Sequence, residues 1–351
     1  MKSLDKIIDD KILLEDIQRI SNNRILYQKF DKKSIFITGA TGLIGSHMVK
    51  TLLYINYKED LDIKIIAAVR NQEKAIEILG EDKNLIYYDY ELEEEIEFKG
   101  KIDYIVHCAA ITQSKKFIEN PSAVIKTMIS GTVNILECAK KHSSKVLFLS
   151  SMEIYGVKNF TNGESLKECD YGYIDLLNVR SSYVEGKRIG ELLCHTYSVE
   201  HKVETCIARI CQTFGAGVHE EDERMFAQFA KAALYKKNIV LFSTGETVRS
   251  YCYLSDTVSA LFYLILLGKS GEAYNIANEN MTMSVKEIAH LVAKRYKIDV
   301  EYQIEERKDK GYLPILQMKM NTEKIKALGW KPKIGMLESF ERMIKSMENA
   351  K

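Results

Sequence analysis

Apolar residues recur every three or four positions at the start of the chain, with Ile7, Ile8, Leu13, Leu14, Ile17 and Ile20 set among acidic and basic ones. This spacing predicts a helical extension over residues 1–33, helical to about residue 30. The pattern then shortens. Ser34-Ile35-Phe36-Ile37-Thr38 is a β-branched strand run, followed by GATGLIG at 39–45 and a helical pattern from Ser46 to about Ile55. Further short apolar runs predict strands at Ile63–Val69, Leu85–Tyr88, Tyr104–Cys108 and Val146–Ser150. Helical patterns at about Ser122–Lys140 and Tyr183–Val199 would flank them. Such alternation predicts an α/β fold built on a doubly wound parallel sheet. Later segments are less regular, with strands near Thr205–Arg209 and Ile239–Phe242 and helices near Phe226–Leu234 and Ser284–Tyr296. No Pro/Gly-rich linker divides the chain. Residues 34–205 are therefore expected to form a dinucleotide-binding domain and residues 206–351 a smaller α/β lobe packed on it.

Composition narrows the class. The 351 residues are 46% apolar and 28% charged, which excludes a disordered or fibrous chain. Fifty Lys and Arg balance 49 Asp and Glu, so bulk charge favours neither nucleic acid nor an anionic membrane surface as partner. The seven cysteines are scattered, odd in number and without a CxxC pair, so neither a disulfide framework nor a metal site is expected. Reduced thiols fit a cytoplasmic protein. The N-terminal stretch is interrupted by acids, unlike a signal peptide, and no apolar run reaches the roughly 18 residues of a membrane span.

Gly39, Gly42 and Gly45 let the chain turn sharply and approach a pyrophosphate, while the following helix offers unpaired N–H groups. An ordinary tight turn would also use three glycines, but the position between strand and helix favours a dinucleotide site. An acid normally ends the second strand and bonds the adenosine ribose; here the residue is Arg70. A guanidinium suits a 2′-phosphate, which tilts the expectation from NAD toward NADP, although Arg70 could equally stack on adenine or face solvent. Asp89, after the third strand, could accept from the adenine amino group or stand as a solvated loop acid.

Tyr183 and Lys187 are four apart in a helical segment and share a face. A nearby ammonium is expected to stabilise the phenolate of a tyrosine that acts as base. Ser151, in SSMEIYG at 150–156, follows the fifth strand at the sheet edge where open α/β sheets bind ligands. Together the serine and tyrosine could carry the proton of a sugar hydroxyl during hydride removal.

With these motifs the chain resembles the extended short-chain dehydrogenase/reductase family, in its NDP-sugar epimerase, dehydratase and decarboxylase branch. The resemblance runs from about residue 34 to 340 and adds HCAA at 107–110, GTVNILECA at 131–139, YVEGK at 183–187, TVRSYCYLSDTVSA at 247–260, EAYNIAN at 272–278 and LGWKP at 328–332. It implies a Rossmann domain and a tightly held NAD or NADP, bound by Gly39, Thr41, Gly42, Leu43, Ile44, Gly45, Arg70, Asp89, Ala109 and Ala110 with Tyr183 and Lys187. It implies Ser151, Tyr183 and Lys187 as catalytic, and a nucleotide-diphosphate sugar against Thr112, Ser151, Met152, Gln212, Phe226, Gln228 and Arg249. It also implies a homodimer through a four-helix bundle of the helices at 122–140 and 183–199. Three positions depart from the family: Met128 and Gln212 stand where Asn is usual, and Arg70 where an acid is usual. Arg249 matches the guanidinium that grips the diphosphate. Phe226 and Gln228 fall where the base packs, but their helical spacing fits an apolar core face as well.

Glu153 bears on the reaction. A glutamate there resembles 4,6-dehydratases and UDP-glucuronate decarboxylases, not simple C4 epimerases, and Met152 replaces the acid of the dTDP-glucose dehydratases. RSSYVEGKRIGE also echoes the decarboxylase pattern. The expected function is modification of a nucleotide sugar through transient oxidation, with decarboxylation or 4,6-dehydration ahead of 4-epimerisation. A net-redox dehydrogenase and a non-catalytic redox sensor are the other readings, and a purely structural Glu153 that caps a helix stays open.

Overall fold

The computed structural model describes residues 8–110, 114–158, 164–304 and 317–349. Strand β1 (Ser34–Thr38) is buried along its whole length, as its unbroken apolar and β-branched sequence requires of a strand covered on both faces. β2 (Lys64–Val69) and β4 (Tyr104–His107) pair with it on either side. β3 (Leu85–Asp89), β5 (Lys145–Ser151), β6 (Thr205–Ile210) and β10 (Glu272–Ile276) complete a seven-stranded parallel sheet in the order β3-β2-β1-β4-β5-β6-β10. The order reverses between β1 and β4, so a crevice opens there beyond the carboxyl ends of the strands. This is the expected Rossmann sheet, and it draws strands from both sides of residue 205.

Helices α5 (Pro121–His142) and α6 (Ser181–Glu200) pack together on one face, burying Ile135, Leu136 and Cys194 against Phe148 and Ile207. On the other face α2 (Leu43–Glu59) and α8 (Leu254–Leu267) meet α1 (Lys11–Ile20). Between β2 and β3 runs α3 (Gln72–Leu79). Among the described residues the N-terminal extension holds a helix at Lys11–Ile20, then a separate one-turn helix at Arg24–Tyr27 and a 3-10 turn at Gln28–Phe30. The continuous helix expected to residue 30 is broken because the Asn23 side chain accepts from the Leu26 amide and starts a new turn.

The C-terminal lobe centres on β9 (Val248–Tyr253), paired with β7 (Gln212–Phe214), β11 (Asn278–Ser284) and β13 (Gln317–Met318); β8 (Ile239–Leu241) pairs with β12 (Val300–Tyr302). A second apolar cluster there joins Phe214, Phe226 and Phe340 under α7 (Met225–Leu234), α9 (Val285–Tyr296) and α10 (Met336–Asn349). No helix among the described residues is long and apolar enough to cross a membrane, and the seven cysteines are free.

Candidate functional site

Gly39 takes a left-handed φ of +64°, and a Cβ placed on it would lie 2.9 Å from the Ala109 amide nitrogen. A Cβ on Gly45 would lie 2.2 Å from the Gly39 carbonyl oxygen. The turn is therefore closed onto the end of β4 as tightly as backbone allows. Gly42 caps α2 without any side-chain bond, which leaves first-turn amides free at the crevice. Thr41, Leu43 and Ile44 are half-buried around it. Beneath, the Thr38 hydroxyl accepts from the Ala109 amide at 3.1 Å and lies 2.8 Å from Nδ1 of His107. Burial pulls the His107 imidazole down to about 3, so it stays neutral and can accept from Thr38. Ala109 and Ala110 follow at the same edge, half-buried. Arg70 and Asp89 stand exposed at the ends of β2 and β3, in neighbouring register. A close-approach turn, free amides and an exposed cation are what a dinucleotide's phosphates need, so these residues fit a nicotinamide dinucleotide.

Ser151 ends β5 and caps the turn Met152–Tyr155, accepting from the Glu153 amide at 3.2 Å. The cap is thus the serine, and the Glu153 carboxylate makes no hydrogen bond or ion pair among the described residues. Tyr183, in the first turn of α6, is buried close to the Ser151 side chain. Its ring stacks on Phe117 of α4 (Ser114–Glu119) at 4.5 Å, and Val124 and Met128 complete an apolar wall. Burial pushes the phenol up, the Glu153 charge pushes it further, and the Ser151 hydroxyl pulls it back. Lys187, the expected ammonium partner, donates from Nζ to the Leu149 carbonyl at 2.6 Å and lies over the Phe148 ring. Burial pulls Lys187 down to about 8.

The remaining positions are spread over the lobe. Gln212 is half-buried on β7, in register with Tyr251, two residues from Arg249 on β9. Arg249 holds a buried Nε that has no hydrogen-bond partner among the described residues, a donor prepared for an anion. Phe226 is 1% exposed and stacks on Phe214 in the second apolar cluster, while Gln228 is exposed and donates to the Glu223 carbonyl. Met152 is 1% exposed, inside the main core. Thr112 lies outside the described residues. The site residues that motif reading missed are Phe117, which carries no sequence signal, and His107, visible only as part of HCAA.

The model of the NAD dependent epimerase/dehydratase family matches residues 35–277. UDP-glucuronic acid decarboxylase 6 of Arabidopsis thaliana is 31% identical over 311 residues, covering 88% of this chain and 87% of that protein. UDP-glucuronic acid decarboxylase 1 of Xenopus tropicalis is 28% identical over 357 residues, covering 98% and 81%. Among solved structures, UDP-glucose 4-epimerase of Thermotoga maritima with UDP-glucose superposes with a TM-score of 0.75 at 22% identity, over 90% of this chain and 99% of that one. A dTDP-glucose 4,6-dehydratase of Streptomyces venezuelae with NAD bound also gives 0.75, at 21% identity, over 90% and 97%. The glycine turn, the parallel sheet and the matched span lead to one conclusion: the chain belongs to the NAD dependent epimerase/dehydratase family.

Proposed function

We propose that the chain is a decarboxylase of a nucleotide-diphosphate uronate, most directly UDP-glucuronate, acting through Ser151, Tyr183, Lys187 and Glu153. The observation that carries the reading is Glu153, an uncommitted carboxylate on the turn after Ser151, close enough for its charge to act on the Tyr183 phenol. The decarboxylase relatives, at 28–31% identity across most of both chains, support the same choice. A buried methionine at 152 leaves no neighbouring acid on that turn to protonate a leaving hydroxyl, which weighs against 4,6-dehydration.

When bound, the nicotinamide accepts hydride from the sugar and returns it, so that C4 passes through a ketone. Tyr183, close to Ser151, is assigned to take the hydroxyl proton and give it back. A ketone at C4 makes the C6 carboxylate that of a β-keto acid: the C5–C6 bond breaks, carbon dioxide leaves and its electron pair moves onto the ketone oxygen. C5 then needs a proton, and its delivery is assigned to Glu153, the carboxyl whose charge acts on Tyr183. The apolar wall of Phe117, Val124 and Met128 keeps water from the tyrosine. Arg249, with its unpaired buried Nε, is assigned to the diphosphate, with Gln212 beside it. Arg70 favours NADP over NAD by offering a cation at the end of β2. Exposed Leu192 and Val199 on α6 support pairing of two copies through α5 and α6, and the free cysteines support a reducing cytoplasmic setting.

The test supplies UDP-glucuronate and several NDP-hexoses in deuterated water and follows products by NMR. Loss of carbon dioxide, with Tyr183→Phe slowing turnover by about 10²–10⁴-fold, supports the proposal. A 4-keto-6-deoxy product would make the enzyme a dehydratase. Inversion at C4 alone, unaffected by Glu153→Gln, would make it an epimerase with a structural Glu153.

A further inference from the structure

Glu191 lies one turn beyond Lys187 and two beyond Tyr183 on α6, so the three share a face. It is 7% exposed and both its oxygens are taken. Oε1 accepts from the Ser150 hydroxyl at 2.5 Å and from Arg209 Nε at 3.0 Å; Oε2 accepts from Arg209 Nη2 at 2.7 Å. Arg209, 1% exposed on β6, also donates to the Tyr155 hydroxyl, the Glu168 carbonyl and the Tyr171 hydroxyl. The guanidinium is thereby locked, and it locks the carboxylate in turn.

Lys187 is 4% exposed and among the described residues has no carboxylate bonded to it; its one hydrogen bond there goes to a neutral carbonyl. The titratable groups that act on it are His107 and Cys108 from the end of β4 and Glu191 and Cys194 from α6, with Tyr183 one turn away on the same helix; from β5 it meets the Phe148 ring and the Leu149 carbonyl. His107 is held neutral, and burial pushes the Cys108 thiol up to about 12 and Cys194 and Tyr183 up as well. Among the described residues the negative charge that acts on Lys187 is Glu191, itself paired with Arg209. A buried ammonium without such a charge gives up its proton more readily.

We propose that Glu191 is a positioning residue for the reaction: anchored by Arg209 and Ser150, its carboxylate keeps the Lys187 ammonium charged beside Tyr183. The inference rests on the reading of Tyr183 and Lys187 as the reacting pair. Removing the carboxylate charge while keeping the shape, as in Glu191→Gln, lowers the Lys187 titration midpoint by about one pH unit, whereas Glu191→Asp keeps it near the parent value.

The midpoint is read from the Cε resonance of Lys187 in protein carrying isotope-labelled lysine, assigned by its loss in Lys187→Arg. In parallel, the alkaline limb of the pH–rate profile moves down by the same unit in Glu191→Gln, with the plateau at lower pH kept. A residue that merely supports packing would depress the rate at every pH and leave the midpoint in place. Should Glu191→Gln not fold, Ser150→Ala removes only the hydroxyl that orients the carboxylate, and a smaller downward shift is expected. An unmoved midpoint in the folded variants, with Tyr183→Phe inactive, overturns this inference alone. A fully active Tyr183→Phe overturns the reading of the site on which it rests.

Discussion

At the glycine turn backbone touches backbone, with Gly39, Gly45 and Ala109 closed to within less than a side-chain carbon of one another. In the C-terminal lobe the equivalent task falls to buried polar side chains. The Asp256 carboxylate accepts from the Lys333 and Ile334 amides, each at 2.9 Å, and the Asn278 amide donates to the Ile334 carbonyl. Asp16 of the N-terminal helix accepts from the Tyr253 hydroxyl at 2.6 Å and from Arg342 Nε at 3.0 Å, tying α1 to β9 and α10. The first arrangement tolerates no added atom and carries no ionisable group. The second is charge-dependent, so pH and ligand can act on it.

The largest effect expected from this contrast is at Gly45. Gly45→Ala forces a Cβ to 2.2 Å from a carbonyl oxygen, and backbone must move to admit it. A loss of about 3 kcal/mol or more in denaturant unfolding is expected, together with loss of cofactor binding, because the displaced atoms are those of the phosphate turn. Full stability with normal cofactor affinity would dismiss the backbone-contact account.

Asp16 is the counterpart in the lobe. Burial pushes its carboxyl from 3.8 up to about 6, against the opposing pull of Tyr253, Arg342 and Arg19. The folded chain therefore holds the proton more tightly than the unfolded one. Stability from this group is greatest below the unfolded value and is lost as pH rises through about 6, with a span of about 3 kcal/mol. Asp16→Asn should remove that slope, so urea unfolding of the two proteins between pH 4 and 7 should give curves that diverge. Parallel curves would show that the clamp is not charge-dependent.

Arg70 gives the smallest effect, since it is exposed at the rim of the turn and not part of its closure. Arg70→Asp should weaken NADP by about 1–3 kcal/mol and leave NAD unchanged or improved. Calorimetric titration of cofactor-free protein showing equal losses for both would withdraw the NADP preference.

Legibility in the sequence followed the same division. Strands β1 to β5 and the turn at 39–45 could be read because each is a short apolar run bounded by turn residues, with a parallel partner supplied by regular alternation. Later in the chain, α8 is apolar on nearly every side and offers no stripe, and β9 buries Ser250, Tyr251, Cys252 and Tyr253 in succession and offers no alternation. Their periods vanish because both are covered on all sides. The catalytic candidates were legible as spacing: Tyr183 and Lys187 four apart, Ser151 and Glu153 at a strand end. Glu191, which closes the same echoing pattern, carried no role until Arg209 and Ser150 were seen to meet it.

By itself the sequence determined the strand–turn–helix opening, the shared helical face of Tyr183, Lys187 and Glu191, and the absence of any bulk charge toward nucleic acid, since each depends on neighbours along the chain or on composition alone. Tertiary structure decided the environments. Phe117 and Met128 close over Tyr183, and burial there pushes its phenol up. The Lys187 ammonium turns to the Leu149 carbonyl, and Asp16 meets Arg342 from the other end of the chain. Burial and charge act through space over a few ångströms, and residues that far apart in sequence come within that range only after folding.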